Sequence, residues 1–249
     1  MKRRILIAAS AGIAGALLSA LVQAATPCPP PQVGVAGGST AATNCPTASA
    51  GAYSTNFASA ENPLSEGGKW INGKTVGLDW NDVQTVPGKA YGAAIATGYN
   101  DDVAVLNTAF TANQFAQGTV QRASGYAPGV SHEIELLLHF QITAHNARGY
   151  EVLWGATGEV NIVRWNGPLA NYTPLLTVTG PNIGAAVDGD VLRAEIVGGV
   201  IKVYKNGTLV LTGPTNTTWT DGQPGIGFWP TTGATPANYG WKSFSAGSL

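Results

Sequence analysis

Apolar and polar residues alternate along this chain in short runs that stop at Gly, Asn, Asp or Pro. From Tyr53 onward the runs are Asp102–Thr108, Gly118–Arg122, Glu133–Thr143, Tyr150–Trp154, Val160–Trp165, Leu175–Thr179, Val191–Val197, Val200–Tyr204, Thr208–Thr212, Gly225–Trp229 and Trp241–Ser245. Such lengths and breakers predict β-strands joined by tight turns. Only Asn107–Phe115 offers the spacing of a short helix. Gly198-Gly199 and Asn206-Gly207 separate three of the runs, and these dipeptides accept the positive φ angles of hairpin turns. A meander of Val191–Val197, Val200–Tyr204 and Thr208–Thr212 follows, with Leu192, Ala194 and Ile196 buried. The fold class is all-β, a two-sheet antiparallel jelly-roll sandwich.

The strand from Ser131 to Ile142 carries the most chemistry. With period two, Ile134, Leu136, Leu138, Phe140 and Ile142 fall on one face, and Glu133, Glu135, Leu137, His139 and Gln141 on the other. The second face is read as the wall of a ligand groove, with Glu135 and His139 as candidate catalytic groups and Glu133 and Gln141 as substrate-binding groups. In the neighbouring runs, Arg164, Trp165, Arg193 and Tyr204 are further candidates for substrate contacts. Trp165 stands beside an Asn-Gly turn, which makes it the best stacking residue, whereas Trp154 reads as core. An Arg193–Glu135 or Arg193–Glu195 ion pair is the plainer account of those charges.

The N-terminus changes the picture of where the chain works. Met1-Lys2-Arg3-Arg4 precedes an uncharged apolar run from Ile5 to Val22 and the small residues Ala24-Ala25, the layout of a cleaved secretory signal. The expected organisation is a signal peptide over residues 1–24, a Pro-, Gly- and Ala-rich leader over 25–51, and one domain over 52–249. Cys28 and Cys45, the only 2 cysteines, fall in the leader, where export favours a disulfide between them. Charged residues are only 11% of the chain and the net charge is -1, so the electrostatic footprint of a nucleic-acid binder is missing. The mature protein is expected to be secreted, soluble and monomeric.

The run Asp190-Val-Leu-Arg-Ala-Glu-Ile-Val-Gly-Gly-Val-Ile-Lys-Val-Tyr-Lys-Asn-Gly207, followed by Gly222-Gln-Pro-Gly-Ile-Gly227, resembles the concanavalin A-like lectin/glucanase superfamily, in particular its laminin-G-like branch. The opening from Asn56-Phe57 to Trp70 looks like the start of such domains. The resemblance implies a jelly roll and leaves function open, because members include lectins, glycosidases, polysaccharide lyases and adhesion modules. Recognition of an extracellular polysaccharide is the expected function. Laminarinase-type glycosidases of this superfamily carry three acids at alternate positions of one strand, and here Glu133 and Glu135 fill two positions while Leu137 occupies the third. A lyase would use a base such as His139 or Tyr204 and a carboxylate-neutralising Arg193, Arg164 or Gln141; the alginate-lyase block pattern is not matched. Asn100-Asp101-Asp102 and Asp188-Gly189-Asp190 offer oxygens to a structural calcium, and serve equally as turn formers.

Overall fold

In the computed structural model, residues 51–93, 101–127, 132–178, 183–230 and 235–249 are described. The signal segment and both cysteines lie outside them. Fifteen strands follow in chain order: β1 (Ala52–Thr55), β2 (Trp70–Asn72), β3 (Asn81–Val86), β4 (Lys89–Gly92), β5 (Asp102–Leu106), β6 (Gln114–Arg122), β7 (His132–Thr143) and β8 (Asn146–Gly155). Then come β9 (Val160–Gly167), β10 (Tyr172–Val178), β11 (Val191–Val197), β12 (Val200–Lys205), β13 (Thr208–Thr212), β14 (Gln223–Pro230) and β15 (Tyr239–Ser248). Every run read as a strand from the sequence is one. The segment Asn107–Phe115 is not helical; it bends, and Gln114 and Phe115 already belong to β6.

The strands form one path, β10-β9-β8-β7-β14-β5-β3-β4-β15-β6-β11-β12-β13, with β2 beside β5 and β1 beside β15. β3 is the fold line. Its first residues pair in parallel with β5 and the rest pair with β4, so the path divides there into two sheets. Ile134, Leu136, Leu138, Val152, Ile162, Ile226 and Phe228 from the first sheet pack with Val120, Leu192, Ala194, Ile196, Val203, Trp241 and Phe244 from the second. This shared core is what holds the sandwich together. The expected meander is present, with Arg193 and Glu195 alternating against buried Leu192, Ala194 and Ile196, and with positive φ at Gly198, Gly199, Asn206 and Gly207.

The outer face of the first sheet carries a second apolar cluster of Leu78, Trp80, Val103, Val105, Leu137, Phe140, Ile142, Leu153, Val163 and Trp165. The path ends at β10 on one side and β13 on the other. β10 holds Pro174 and slips register between Pro174 and Leu176.

Candidate functional site

Strand β7 places two acids on the outer face of the first sheet and then changes face. Glu133, Glu135 and Leu137 alternate outward, while Ile134, Leu136 and Leu138 enter the shared core. Leu137 is paired with Glu151 of β8, and Glu135 with Leu153. Glu151 therefore stands beside Leu137 on the same face, so the neighbouring strand supplies a third carboxyl at the point where β7 lacks one. On the other flank, β14 sets Trp229 opposite Glu133 and Gly227 opposite Glu135. β14 also pairs with β5, with Phe228 opposite Asp102, which puts Asp101 on the outer face beyond Trp229.

These groups surround a cavity of about 520 Å³ lined by Asp101, Glu133, Glu151, Leu153, Asn161, Val163, Trp165, Tyr172, Pro174, Thr177 and Trp229. Gly227 makes room for the acid behind it, because a Cβ there would collide with Oε2 of Glu135. The aromatic wall is braced from within. Trp165 donates its Nε1–H to Oε2 of Glu151 at 2.6 Å, meets Trp80 edge to face at 4.5 Å, and contacts Tyr172 at 5.2 Å. A ring held on three sides presents a fixed surface to the cavity.

The carboxyls are unusually poor in partners. Glu135 is fully buried and Asp101 is 6% exposed, yet both oxygens of Glu135 and Oδ2 of Asp101 find no hydrogen-bond donor among the described residues. Burial, followed by the neighbouring acids Glu151, Asp101 and Glu133, pushes Glu135 well above the ordinary carboxylate range. Asp101 rises for the same reasons, with Glu151 and Asp102 as its charged neighbours. Glu133 rises through burial and the charges of Glu151, Asp101 and Glu159. Burial lifts Glu151 to about 7, against the opposing pull of the Trp165 hydrogen bond. Each acid of the site is thus made reluctant to ionise by burial and by the charge of the others.

Of the residues singled out in the sequence, Glu133, Glu135 and Trp165 come together here. His139 and Gln141 do not. Their strict alternation with Glu135 is broken because His139 adopts a left-handed φ of 49° and the register slips between Leu138 and Gln141. Phe140 and Ile142, expected in the shared core, turn to the outer cluster instead. Gly149 and Gly222, both at positive φ, press backbone to backbone against this bulge, where any Cβ would strike His139 or Phe140. Both ring nitrogens of His139 face backbone carbonyls, Nδ1 that of Trp219 at 2.9 Å and Nε2 that of Ala112 at 2.7 Å. A ring committed in this way is a clamp between loops and has no nitrogen left to act as a base. Gln141 donates to Asp221 at 2.9 Å and accepts from Arg148 at 2.7 Å.

The remaining candidates also lie elsewhere. Arg164 faces Asn166 and Thr218, away from the cavity lining. Arg193 and Tyr204 belong to the second sheet, where Arg193 pairs with Glu195 at 2.7 Å over the ring of Phe115, and the Tyr204 hydroxyl donates to Glu195 at 3.2 Å. They border a separate depression of about 370 Å³. The Arg193–Glu195 pair is thus present, and Arg193 is no partner for Glu135. Of the turn acids, Asp188 is engaged by Lys242 and the amide of Arg122, and Asp190 by Lys205, Asn206 and the amide of Val187. Asp101 and Asp102 point to opposite faces of β5, since Val103 and Val105 belong to the outer cluster and Ala104 and Leu106 to the shared core.

The sequence pattern did not bring Glu151, Tyr172 or Trp229 into the site, and offered Asp101 only as a calcium ligand or turn former. A signal existed for Glu151, because it alternates with Tyr150, Val152 and Trp154 and so had to face away from the core. For Asp101 and Trp229 there was none: they meet only through the pairing of β5, β14 and β7, strands far apart in sequence.

The sequence matches no protein-family model and no curated protein. Among solved structures, it is similar to the exoplasmic/lumenal domain of VIP36 in its Ca2+/Man3GlcNAc-bound form, with a TM-score of 0.55 and 10% identity over 79% of this chain and 90% of that one. A native glycosidic hydrolase gives a TM-score of 0.52 and 14% identity, covering 80% and 97% of the two chains. The metal-free carbohydrate recognition domain of Emp46p gives 0.51 and 10%, covering 78% and 95%. At such identities the likeness is one of architecture, and it agrees with the strand path traced above: this chain has the two-sheet jelly-roll fold of those structures.

Proposed function

We propose that this chain is a secreted polysaccharide-recognition protein that holds a sugar unit in the cavity on the outer face of its first sheet. The observation that carries this reading is the cavity itself, where Trp165, Tyr172 and Trp229 stand among Asp101, Glu133, Glu151 and Asn161. Aromatic faces stack on the apolar C–H face of a pyranose, and carboxyl and amide oxygens accept from its hydroxyls. The solved structures of this fold include a mannose-oligosaccharide complex and a glycosidic hydrolase, which supports the assignment at the level of sugar chemistry. Secretion rests on the N-terminal pattern of charged, apolar and small residues.

A second reading, hydrolysis of the bound polymer, is favoured by one specific arrangement. Glu135 and Glu151 are diagonal neighbours across β7 and β8, a relation that sets Cα atoms about 7–8 Å apart. Glycosidic bond hydrolysis uses a pair of carboxyls flanking the bond, one as acid and one as base or nucleophile, and these two acids on one sheet face are the candidates for such a pair. A lyase has less support, because among the described residues the cavity lining holds no Arg, Lys or His to neutralise a uronate carboxylate.

Calorimetry against matched oligosaccharides, run beside a reducing-end assay, tests both readings. Trp229→Ala is expected to weaken binding about tenfold, the loss of one stacking contact worth ~1.5 kcal/mol, with the fold intact. Affinity that is unchanged in both Trp229→Ala and Glu133→Gln would remove the cavity as the binding site. New reducing ends that vanish in Glu135→Gln would establish the hydrolytic reading.

A further inference from the structure

We infer that the cavity is built for a positively charged sugar, a glucosamine unit of a deacetylated chitosan-type chain; this rests on the reading of the cavity as a glycan site. Every ionisable side chain in its lining other than Tyr172 is an acid. The nearby arginines are committed elsewhere: Arg148 to Asp221, Arg164 to Asn166 and Thr218, and Arg122 of the second sheet to the carbonyls of Ala156 and Ala186. Burial and the nearness of the other acids oppose ionisation of these carboxyls, and a neutral sugar leaves that unchanged. An ammonium within hydrogen-bond reach supplies the opposite charge against which they ionise.

The acceptors are already positioned. Asp101 lines the cavity at 6% exposure with Oδ2 lacking a donor, and Asn161 lines it with Oδ1 in the same condition. Behind them, Glu135 is fully buried with both oxygens unmatched. Buried acceptors without donors are costly, and an R–NH3+ group brings three donors on one atom. The walls suit the same ligand, because Trp229 and Tyr172 line the cavity and aromatic rings attract a cation while packing on the sugar ring that carries it. A metal ion fits less well. Calcium needs six or more oxygens converging on one point, and no group of three His, Cys, Asp or Glu among the described residues is close enough to hold a metal.

The test compares three oligosaccharides of equal length, the fully deacetylated glucosamine oligomer, its N-acetylated counterpart and the matching cello-oligomer, by calorimetry just below neutral pH. The deacetylated oligomer is expected to bind at least about tenfold more tightly than the other two, with the advantage shrinking in added salt. Asp101→Asn, which keeps the shape and removes the carboxylate, should erase the preference, while Asp82→Asn, outside the cavity lining and bonded to Thr75, should preserve it. Tighter or equal binding of the N-acetylated or cello-oligomer, with Trp229→Ala still weakening it, overturns the charge inference and leaves the glycan site standing. If none of the three binds in a Trp229-dependent manner, both readings fall. Calcium binding that disappears in Asp101→Asn and displaces the oligomer would make the cavity a metal site and overturn the inference as well.

Discussion

Glu135 is a fully buried carboxyl without a donor among the described residues, and burial with the neighbouring acids holds it well above the ordinary carboxylate range. Asp101, Glu133 and Glu151 are raised in the same direction. The consequence for stability has a definite sign. An unfolded glutamate releases its proton near 4.5, so above that pH the folded chain binds more protons than the unfolded one, and stability falls as pH rises. For Glu151 the fall continues until about 7 and amounts to on the order of 3 kcal/mol. His132 acts in the other direction. Burial, then the nearby Arg122, lowers it from 6.5 to about 4, so its contribution is complete above 6.5 and is lost as pH drops toward 4. Several acids oppose one histidine, and above 6.5 the histidine no longer titrates in either state. Melting should therefore occur at a higher temperature at about pH 5 than at about pH 8, with Glu135→Gln flattening the difference. Scanning calorimetry across that range checks this, and a melting temperature that climbs steadily to pH 8 would show that the acids find partners.

At the scale of single elements, β7 is two half-strands joined at His139. Its first half follows the alternation written in the sequence, and Glu133 and Glu135 are legible from it. Its second half is not, since a bulge shifts every later side chain to the other face and nothing in Leu-His-Phe-Gln announces one. The glycines that admit the bulge, Gly149 and Gly222, lie on a neighbouring strand and at the entry to β14, visible in sequence only as ordinary breakers. By contrast, the β11–β12–β13 meander was legible because its register is set locally, by Gly-Gly and Asn-Gly turns. Gly227 gives the site a further probe. Its absent Cβ leaves the space that the end of the Glu135 side chain occupies, a flexible group able to swing aside. Gly227→Ala should fold, with a melting temperature near that of the parent, and should weaken oligosaccharide binding by displacing that carboxyl. Unfolded material, or unaltered affinity, would show that Glu135 does not support the ligand.

For the whole molecule, the two outer faces divide the chemistry. The acids and aromatics of the cavity come from β7, β8, β9, β10 and β14 of the first sheet and from Asp101, the residue before β5. On the second, Arg193 and Glu195 of β11 satisfy each other, with the Tyr204 hydroxyl of β12 donating to Glu195. This division explains why composition and hairpin spacing were enough for the fold class, whereas grouping Arg193 and Tyr204 with Glu135 failed: strands close in pattern can sit on opposite faces of a sandwich.

The terminal strand β10 has a bearing on how the protein behaves in company. A sheet that ends openly displays unused amides and carbonyls, onto which another chain can add itself as one more strand, and fibrils grow in this way. Pro174 brings no N–H to that border, and the slip beside it bends the strand out of a straight ladder. Pro174 also lines the cavity, so the same residue that shapes one wall of the binding site denies a neighbouring copy a template for growth. Molecules crowded side by side along a polymer can then remain separate.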